Sequence, residues 1–567
     1  MRRFPRQIAG IPYRLVNSTG MNILLLGGFV AILLAGCSAD SKTDTGGSPK
    51  GGQRHFGDAD RPGVPKSRNL PTQKNNNKPI TLFERIPETR SGINFVNPII
   101  NDHEMRRLYS SGFACGGIAA GDLNGDGMVD LFMTSGPRPN RLYFQAENLR
   151  FVEDTNAAGL ATGNPWSSGA SLADIDNDGD LDLFVCNYNS PNQLFINDGK
   201  GRFAESARTR GLDLVDASLM GYFCDYDLDG DLDLYVQGNR LYRAEGRPEK
   251  PPFQMVNGKP EILPKYSKFF GFEQVDEKMH KIVTIGRPDH LYRNDGKGFF
   301  KDVTQTAGFT GSNRGLSATW YDYDEDGWPD LFVANDMNDV DQFYRNNRNG
   351  TFTDVTLGIV PHTTWFSMGS DIADINNDGR VDYFCVDMAG TNHFLQKTTM
   401  GNMNDRQWFI ENHKPTQYMW NTLFLNTGTH RLMEAAYMAG IANSDWSWAP
   451  KFADFDNDGW VDLFISNGMS RNFTHSDMPM DEKWLIGRTE FDIYRKAPLK
   501  KDRNLALRND GNLHFSDKGK EWGLDHLGMS LSTVIADLDR DGNLDLVVAN
   551  LEEPVHIYQN KSPGNRI

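Results

Sequence analysis

Seven copies of one aspartate-rich loop, a strand-like apolar segment after each, and a hairpin-like text between them predict an all-β chain, a seven-bladed β-propeller whose last blade is closed by an N-terminal strand. The pattern D-x-[DN]-x-D-G-x-x-D starts at Asp122, Asp174, Asp225, Asp322, Asp374, Asp454 and Asp537. Successive starts lie 52, 51, 97, 52, 80 and 83 residues apart, so one basic unit recurs with insertions in three copies. A chain of 567 residues with 56 glycines is too long for one ordinary compact domain but suits a repeat architecture.

The start of the chain lies outside that pattern. Arg2, Arg3, Arg6 and Arg14 precede the apolar run "MNILLLGGFVAILLAGC", the basic-then-apolar order of a secretory signal over residues 1–36. Leu34-Ala35-Gly36-Cys37 resembles a bacterial lipobox, which makes Cys37 the expected lipidation site. An uncleaved anchor helix is the alternative, although the run is short for a bilayer span. Met1 and Met21 both stand as starts. Residues 37–79 are polar, rich in Gly, Pro, Lys and Asn and without periodicity, and read as a tether. A flexible tether of that length spans roughly 35 Å, which would hold a folded domain at a membrane without entering it.

The loops come next. Alternate oxygen-bearing side chains at positions one, three and five, a glycine at six and an aspartate at nine are what a hard cation needs from a short loop. The expected ligands are Asp122, Asn124, Asp126 and Asp130; Asp174, Asp176, Asp178 and Asp182; Asp225, Asp227, Asp229 and Asp233; Asp322, Asp324, Asp326 and Asp330; Asp374, Asn376, Asp378 and Asp382; Asp454, Asp456, Asp458 and Asp462; and Asp537, Asp539, Asp541 and Asp545. Up to seven structural Ca2+ ions are expected, because Mg2+ demands strict octahedral geometry and no soft ligand favours a transition metal. An EF-hand begins with the same run but needs a glutamate at position twelve. Met133, Val185, Val236, Val333, Cys385, Ile465 and Val548 stand there instead. A bare Asx turn explains one copy. It does not explain seven that all keep the ninth aspartate. Charge agrees: without residues 1–36 the formal −16 becomes −20, and seven divalent ions would bring it to −6.

Between loops recur "NQLFINDGKGRFAESARTRGL", "DHLYRNDGKGFFKDVTQTAGF" and related texts, each a strand, a Gly or Asn turn and a strand. A strand into the loop, a strand out of it and this hairpin make four strands per unit. After the seventh loop the chain supplies three. Thr81 to Pro87 is the expected fourth, hiding both open edges. The three insertions, near 239–288, 390–418 and 469–502, fall between second and third strands, on the face opposite the loops.

Taken together, the loops and the "LYRNDGKGFFKDVTQTAGF" text resemble the FG-GAP/VCBS repeats of integrin α-subunit propellers, and most nearly bacterial secreted proteins of the cartilage acidic protein type. The resemblance covers about residues 80–560 and implies the propeller, the Ca2+ loops and ligand binding on the face that carries the insertions. Such proteins often carry an ASPIC/UnbV module after the propeller, and this chain is expected to lack it, ending at "NKSPGNRI".

Trp166, Phe366 and Trp446 each stand eight residues before a loop aspartate, a spacing that places them around the channel mouth. They read either as stacking surfaces for a ligand or as packing between blades. The insertion "PMDEKWLIGRTEFDIYRKAP" has helical apolar spacing and reads as a docked surface helix. Two function classes follow: a monomeric, lipid-anchored binding or adhesion module for an extracellular or periplasmic protein or glycan, and a Ca2+-dependent polysaccharide lyase. His103, Glu104, His362 and His413 are the side chains a lyase would draw on, yet none recurs in a catalytic spacing, so no catalytic residue is assigned and the binding module is preferred. Net acidity and dispersed Lys and Arg argue against nucleic acid. Cys115, Cys186, Cys224 and Cys385 sit in apolar strand text without a CxxC pair and read as free buried thiols, with one disulfide still open.

Overall fold

A computed structural model describes residues 81–274, 280–399, 411–472, 475–476 and 481–563. The signal segment, Cys37 and the tether lie outside the described residues, as do parts of each insertion.

Seven four-stranded antiparallel units are present. Unit 1 is Ile118–Gly121, Asp130–Met133, Arg141–Ala146 and Arg150–Glu153. Unit 2 is Ser167–Ala173, Asp182–Pro191, Gln193–Asn197 and Phe203–Glu205. Unit 3 is Val215–Cys224, Asp233–Gly238, His290–Asn294 and Phe300–Asp302, and it shares one continuous sheet with unit 2 through Val215–Ala217 against Tyr188–Pro191. Unit 4 is Gly315–Tyr321, Asp330–Asn335, Gln342–Asn346 and Phe352–Asp354. Unit 5 is Ser370–Ala373, Asp382–Cys385, Thr422–Asn426 and Leu432–Glu434. Unit 6 is Ser447–Ala453, Asp462–Asn467, Leu505–Asn509 and Phe515–Asp517. In unit 7, Ser530–Ala536, Asp545–Asn550 and His556–Asn560 are completed by Phe83–Ile86, paired antiparallel with the last of these from Phe83 opposite Asn560 to Ile86 opposite Ile557. The expected N-terminal closing strand is therefore present.

The first strand of each unit lies against that of the next, and the first strand of unit 7 lies against that of unit 1, so the ring is closed. Why the second strands are apolar throughout follows from this. In Asp182–Pro191, Leu183 and Val185 pack toward unit 1 while Phe184 and Cys186 pack toward unit 3. Alternate side chains of one strand thus enter two different interfaces, and both faces are dry. Seven apolar clusters fill the seven interfaces, and an eighth sits at the rim opposite the loops. Cys115, Cys186, Cys224 and Cys385 are unpaired and buried.

A single helical turn follows the outer strand of units 2 to 7, and in unit 7 that turn is Glu88–Ser91. It ends in a left-handed glycine at Gly211 (φ 84°) and Gly92 (φ 78°). A Cβ there would stand 2.5 Å from the Phe300 carbonyl of unit 3 and 2.6 Å from the Phe151 carbonyl of unit 1 respectively, so a side chain is excluded by both conformation and space. The hairpin reading of this text missed the turn.

Insertions leave between second and third strands, on the rim opposite the aspartate loops. The first forms the hairpins Phe253–Val256 with Lys259–Ile262 and Phe270–Gln274 with His280–Thr284. In the second, Thr416–Tyr418 pairs in parallel with His362–Thr364. The third was expected to dock one helix, but Gly487 (φ 65°) divides it into a 3-10 turn, Glu482–Leu485, and a short helix, Glu490–Tyr494. That helix is held by Arg106 on Asp492 (2.6 Å) and Arg107 on Glu490 (2.8 Å), with Phe491 fully buried against Tyr109.

Candidate metal centre: seven aspartate loops

Each aspartate loop closes the hairpin between first and second strands, and its ninth residue pairs with the residue before its first, as in Ala453 opposite Asp462. Two residues per loop are left-handed. Gly at position six was legible. Position four is also left-handed, at Gly125, Asn177, Leu228, Glu325, Asn377, Asn457 and Arg540, with φ between 56° and 75°. Gly and Asn tolerate this, whereas Leu228, Glu325 and Arg540 are strained there.

The first aspartate organises the turn. In units 2 to 7 its two oxygens accept the N–H groups of positions five and six, for example Asp458 N–H at 3.0 Å and Gly459 N–H at 2.8 Å on Asp454. Position five accepts the N–H of position seven in all seven loops, at 2.8 to 3.1 Å. These bonds turn the side chains of positions one, three and five inward.

Position nine has a second duty that the spacing did not reveal. Its Oδ1 accepts a backbone N–H from the end of the third strand in every unit, at 2.7 to 2.9 Å. In units 1, 2, 4, 5, 6 and 7 its Oδ2 also accepts the N–H of position two. These aspartates are 0 to 2% exposed. Burial pushes Asp130, Asp182, Asp382 and Asp545 up to about 7 and Asp233, Asp330 and Asp462 to about 8, against the pull of the backbone donors.

The third-strand residue that meets position nine is Gln145, Asn197, Asn294, Asn346, Asn426, Asn509 or Asn560. Its side-chain amide donates to the position-two carbonyl of the preceding unit's loop: Gln145 to Leu538, Asn197 to Leu123, Asn294 to Ile175, Asn346 to Tyr226, Asn426 to Tyr323, Asn509 to Ile375 and Asn560 to Phe455, at 2.6 to 2.9 Å. Seven clasps thus run unbroken around the ring. Asn346→Ala removes donors to the Tyr226 and Pro329 carbonyls and the acceptor for Arg348 N–H. It should cost about 2–4 kcal/mol, because two buried carbonyls and one half-buried N–H lose partners at once. Denaturant unfolding measures this, and a loss under about 0.5 kcal/mol would show the clasp to be incidental.

A cation fits this geometry on one direct observation. Oδ1 of Asp176, Asp227, Asp324, Asp456 and Asp539 is buried and accepts no hydrogen bond. Those are the five loops with aspartate at position three; Asn124 and Asn376 stand there in units 1 and 5. A buried carboxylate oxygen without a donor is costly, and a divalent ion is the partner that the neighbouring carboxylates favour. Ligand atoms of Asp174, Asp176 and Asp178, of Asp225, Asp227 and Asp229, of Asp322, Asp324 and Asp330, and of Asp454, Asp456 and Asp462 each lie within 4.8 Å of one another. The other oxygens of several carboxylates are held from outside by arginine: Arg293 on Asp227 (2.8 Å) and Asp229 (2.9 Å), Arg508 on Asp456 (2.6 Å), Arg210 on Asp176 (3.2 Å) and Arg348 on Asp326 (2.6 Å).

The aromatic residues expected at the channel mouth are not open surfaces. Trp166, Phe366 and Trp446 are 4, 3 and 5% exposed, which corrects the stacking reading and leaves packing. Trp166 lies under Tyr109 and His103 and donates its indole N–H to the Ala114 carbonyl. Phe366 stacks on Trp365, and Lys500 stands over Trp446. For Trp166 and Trp446 the covers come from distant chain, the stretch around His103–Tyr109 and the third insertion respectively. His362 packs edge-on against Tyr418 and Trp420.

A family model of the FG-GAP-like repeat matches residues 122–185, 174–236, 282–333 and 322–385. Each match ends at position twelve of a loop. Among curated proteins the chain is similar to cartilage acidic protein 1 of Xenopus tropicalis (27% identical over 148 residues, 24% of this chain and 23% of that protein), Mus musculus (26% over 147 residues, 24% and 23%) and Homo sapiens (25% over 147 residues, 24% and 22%). The similarity thus spans under a quarter of those relatives. Among solved structures it is similar to an Agrocybe aegerita lectin that recognises non-reducing terminal N-acetylglucosamine (16% identical, 80% of this chain and 88% of that one, TM-score 0.37). It is also similar to the V. cholerae biofilm matrix protein Bap1 (13% identical, 79% and 88%, TM-score 0.33). At these TM-scores neither likeness bears on fold or function. The closed ring of four-stranded units is thus a β-propeller that carries FG-GAP-like repeats over residues 122–236 and 282–385.

Proposed function

We propose that this propeller is an exported, Ca2+-binding adhesion module, lipid-anchored through Cys37, that recognises a protein or polysaccharide with the rim carrying the insertions. The orphaned position-three oxygens are the observation that supports the cation, and an all-oxygen set around a short loop suits Ca2+. Bound ions would neutralise the loop carboxylates and stiffen the rim to which the asparagine clasps belong. The opposite rim then offers long segments on a rigid base, the usual setting for a recognition surface. Among the described residues no helix is long and apolar enough to cross a membrane.

Calorimetric titration of the metal-stripped chain with Ca2+ tests the first half. Uptake of several equivalents is expected, and none would overturn it. A glycan array probed with the Ca2+-loaded chain, then with chelator, tests the second. Ca2+-dependent retention on defined sugars supports a polysaccharide ligand. Unsaturated products released from polysaccharide would instead establish the lyase.

A further inference from the structure

A separate cluster lies on the rim opposite the loops, where unit 6 passes into unit 7. His526 follows the unit 6 helical turn, Glu553 sits in the turn before the third strand of unit 7, and His556 opens that strand. One ligand atom from each lies within 4.8 Å of the others. The two imidazoles meet edge-on with centroids 4.4 Å apart, and His526 Nε2 stands 2.8 Å from Glu553 Oε2. That nitrogen is buried and off the line of a hydrogen bond.

We infer that His526, Glu553 and His556 form a three-ligand site for a divalent transition metal of the zinc class. Two imidazole nitrogens and one carboxylate are a donor set for zinc, whereas Ca2+ takes oxygen almost throughout. The backbone already holds the two histidines in place: the His526 carbonyl accepts Asn504 N–H at 3.0 Å, and His556 pairs with Val548 in the sheet. Outer contacts leave the inner atoms free. His556 Nδ1 meets the Tyr558 hydroxyl at 3.2 Å, and Lys501 Nζ meets Glu553 Oε1 at 2.6 Å, so His556 Nε2 and Glu553 Oε2 remain for a metal. The His526–Glu553 separation, 2.8 Å, is shorter than the roughly 3.3 Å edge of a tetrahedron with ligands about 2.0 Å from its centre, so the two atoms would part by about half an ångström on binding. His526 lies on bare Gly528, where a Cβ would come within 2.4 Å of Nε2. Burial holds both imidazoles below the ordinary histidine range, His556 at about 3, so both are neutral at physiological pH. Lys501 and Arg85 are the cations nearby; the Glu553 carboxylate offsets them, and they would favour an anion or water in the open fourth position.

The test uses the full chain in excess Ca2+, which keeps the aspartate loops occupied, titrated with Zn2+ alone and with Co2+ alone. One equivalent of Zn2+ should bind, and Co2+ should give the visible bands of a low-coordinate, nitrogen-ligated ion. His526→Gln and Glu553→Gln, both at partly exposed side chains, should each weaken Zn2+ binding at least about tenfold and erase the Co2+ bands, with unfolding in Ca2+ unchanged. No Zn2+ uptake by the parent chain, or equal uptake and spectra in the variants, overturns the site. If one variant fails to fold, the other decides.

Discussion

Chelation lowers the unfolding temperature of the full-length chain by about 20 °C if the seven loops hold Ca2+. Each occupied site adds about 2.7 kcal/mol at hundredfold excess over its Kd. A folded ring of this size shifts by about 1 °C per kcal/mol, from the usual entropy of unfolding per residue. Scanning calorimetry with and without chelator measures this, and re-addition of Ca2+ should restore the midpoint where Mg2+ does not. The stripped protein should also show an unusual pH slope. Its position-nine carboxylates titrate at about 7 to 8 when folded, above their unfolded value, so the folded state keeps protons that the unfolded chain releases. The stability this contributes is complete below about pH 4 and is lost as pH climbs through about 8. With chelator the midpoint therefore falls from pH 5 to pH 8; with Ca2+ bound, the same carboxylates are deprotonated in both folded and unfolded states across that window and the slope flattens. A chelator-insensitive midpoint would remove the metal from the account.

The second large effect separates the two duties of the loop aspartates. In unit 7, Asp545 accepts Asn560 N–H at 2.7 Å and Leu538 N–H at 3.0 Å, while Asp539 presents the orphaned oxygen. Asp545→Ala strands two buried donors and should cost about 2–6 kcal/mol in chelator, and more in Ca2+, where it also removes a ligand. Asp539→Asn should be nearly neutral in chelator, since it only relieves crowded charge, and destabilising in Ca2+, where it removes a ligand. Denaturant melts of both variants in both conditions give four numbers. Equal losses for Asp539→Asn in the two conditions would mean that the position-three carboxylate is structural in its own right.

The ring itself was legible because its determinants are local and repeated: loop, strand, hairpin and the orphan strand at Thr81 to Pro87. What escaped depends on contacts made only once the ring exists. Asn509 stands at a recurring place in the hairpin text, yet its partner carbonyl at Ile375 lies 134 residues away, across an interface that the repeat alone does not specify. Left-handed position four could be read at Asn177, Asn377 and Asn457. Tertiary structure imposes it on Leu228, Glu325 and Arg540 against their own preference. The depth of Trp166 escaped the sequence, because Tyr109 and His103, far from it along the chain, supply its cover. The helical spacing around Trp484 was real, but it overlooked what Gly487 does to a helix in mid-course. His526, Glu553 and His556 carry no motif spacing at all. Only the approach of a turn to a strand end unites them.

Phe83–Ile86 pairs with His556–Asn560, which a ribosome makes some 470 residues later. This strand must therefore wait, with Phe83 and Ile86 uncovered, until the chain as far as Asn560 has emerged, and the entropic cost of joining such distant segments falls late in the folding of the ring. A nascent or truncated molecule would expose two unsatisfied edges at once, one at each end, both shaped to accept a copy of the missing strand. Such molecules are prone to exchange strands with one another, so chaperone holding during synthesis, rather than rapid stepwise folding, is what this connectivity demands.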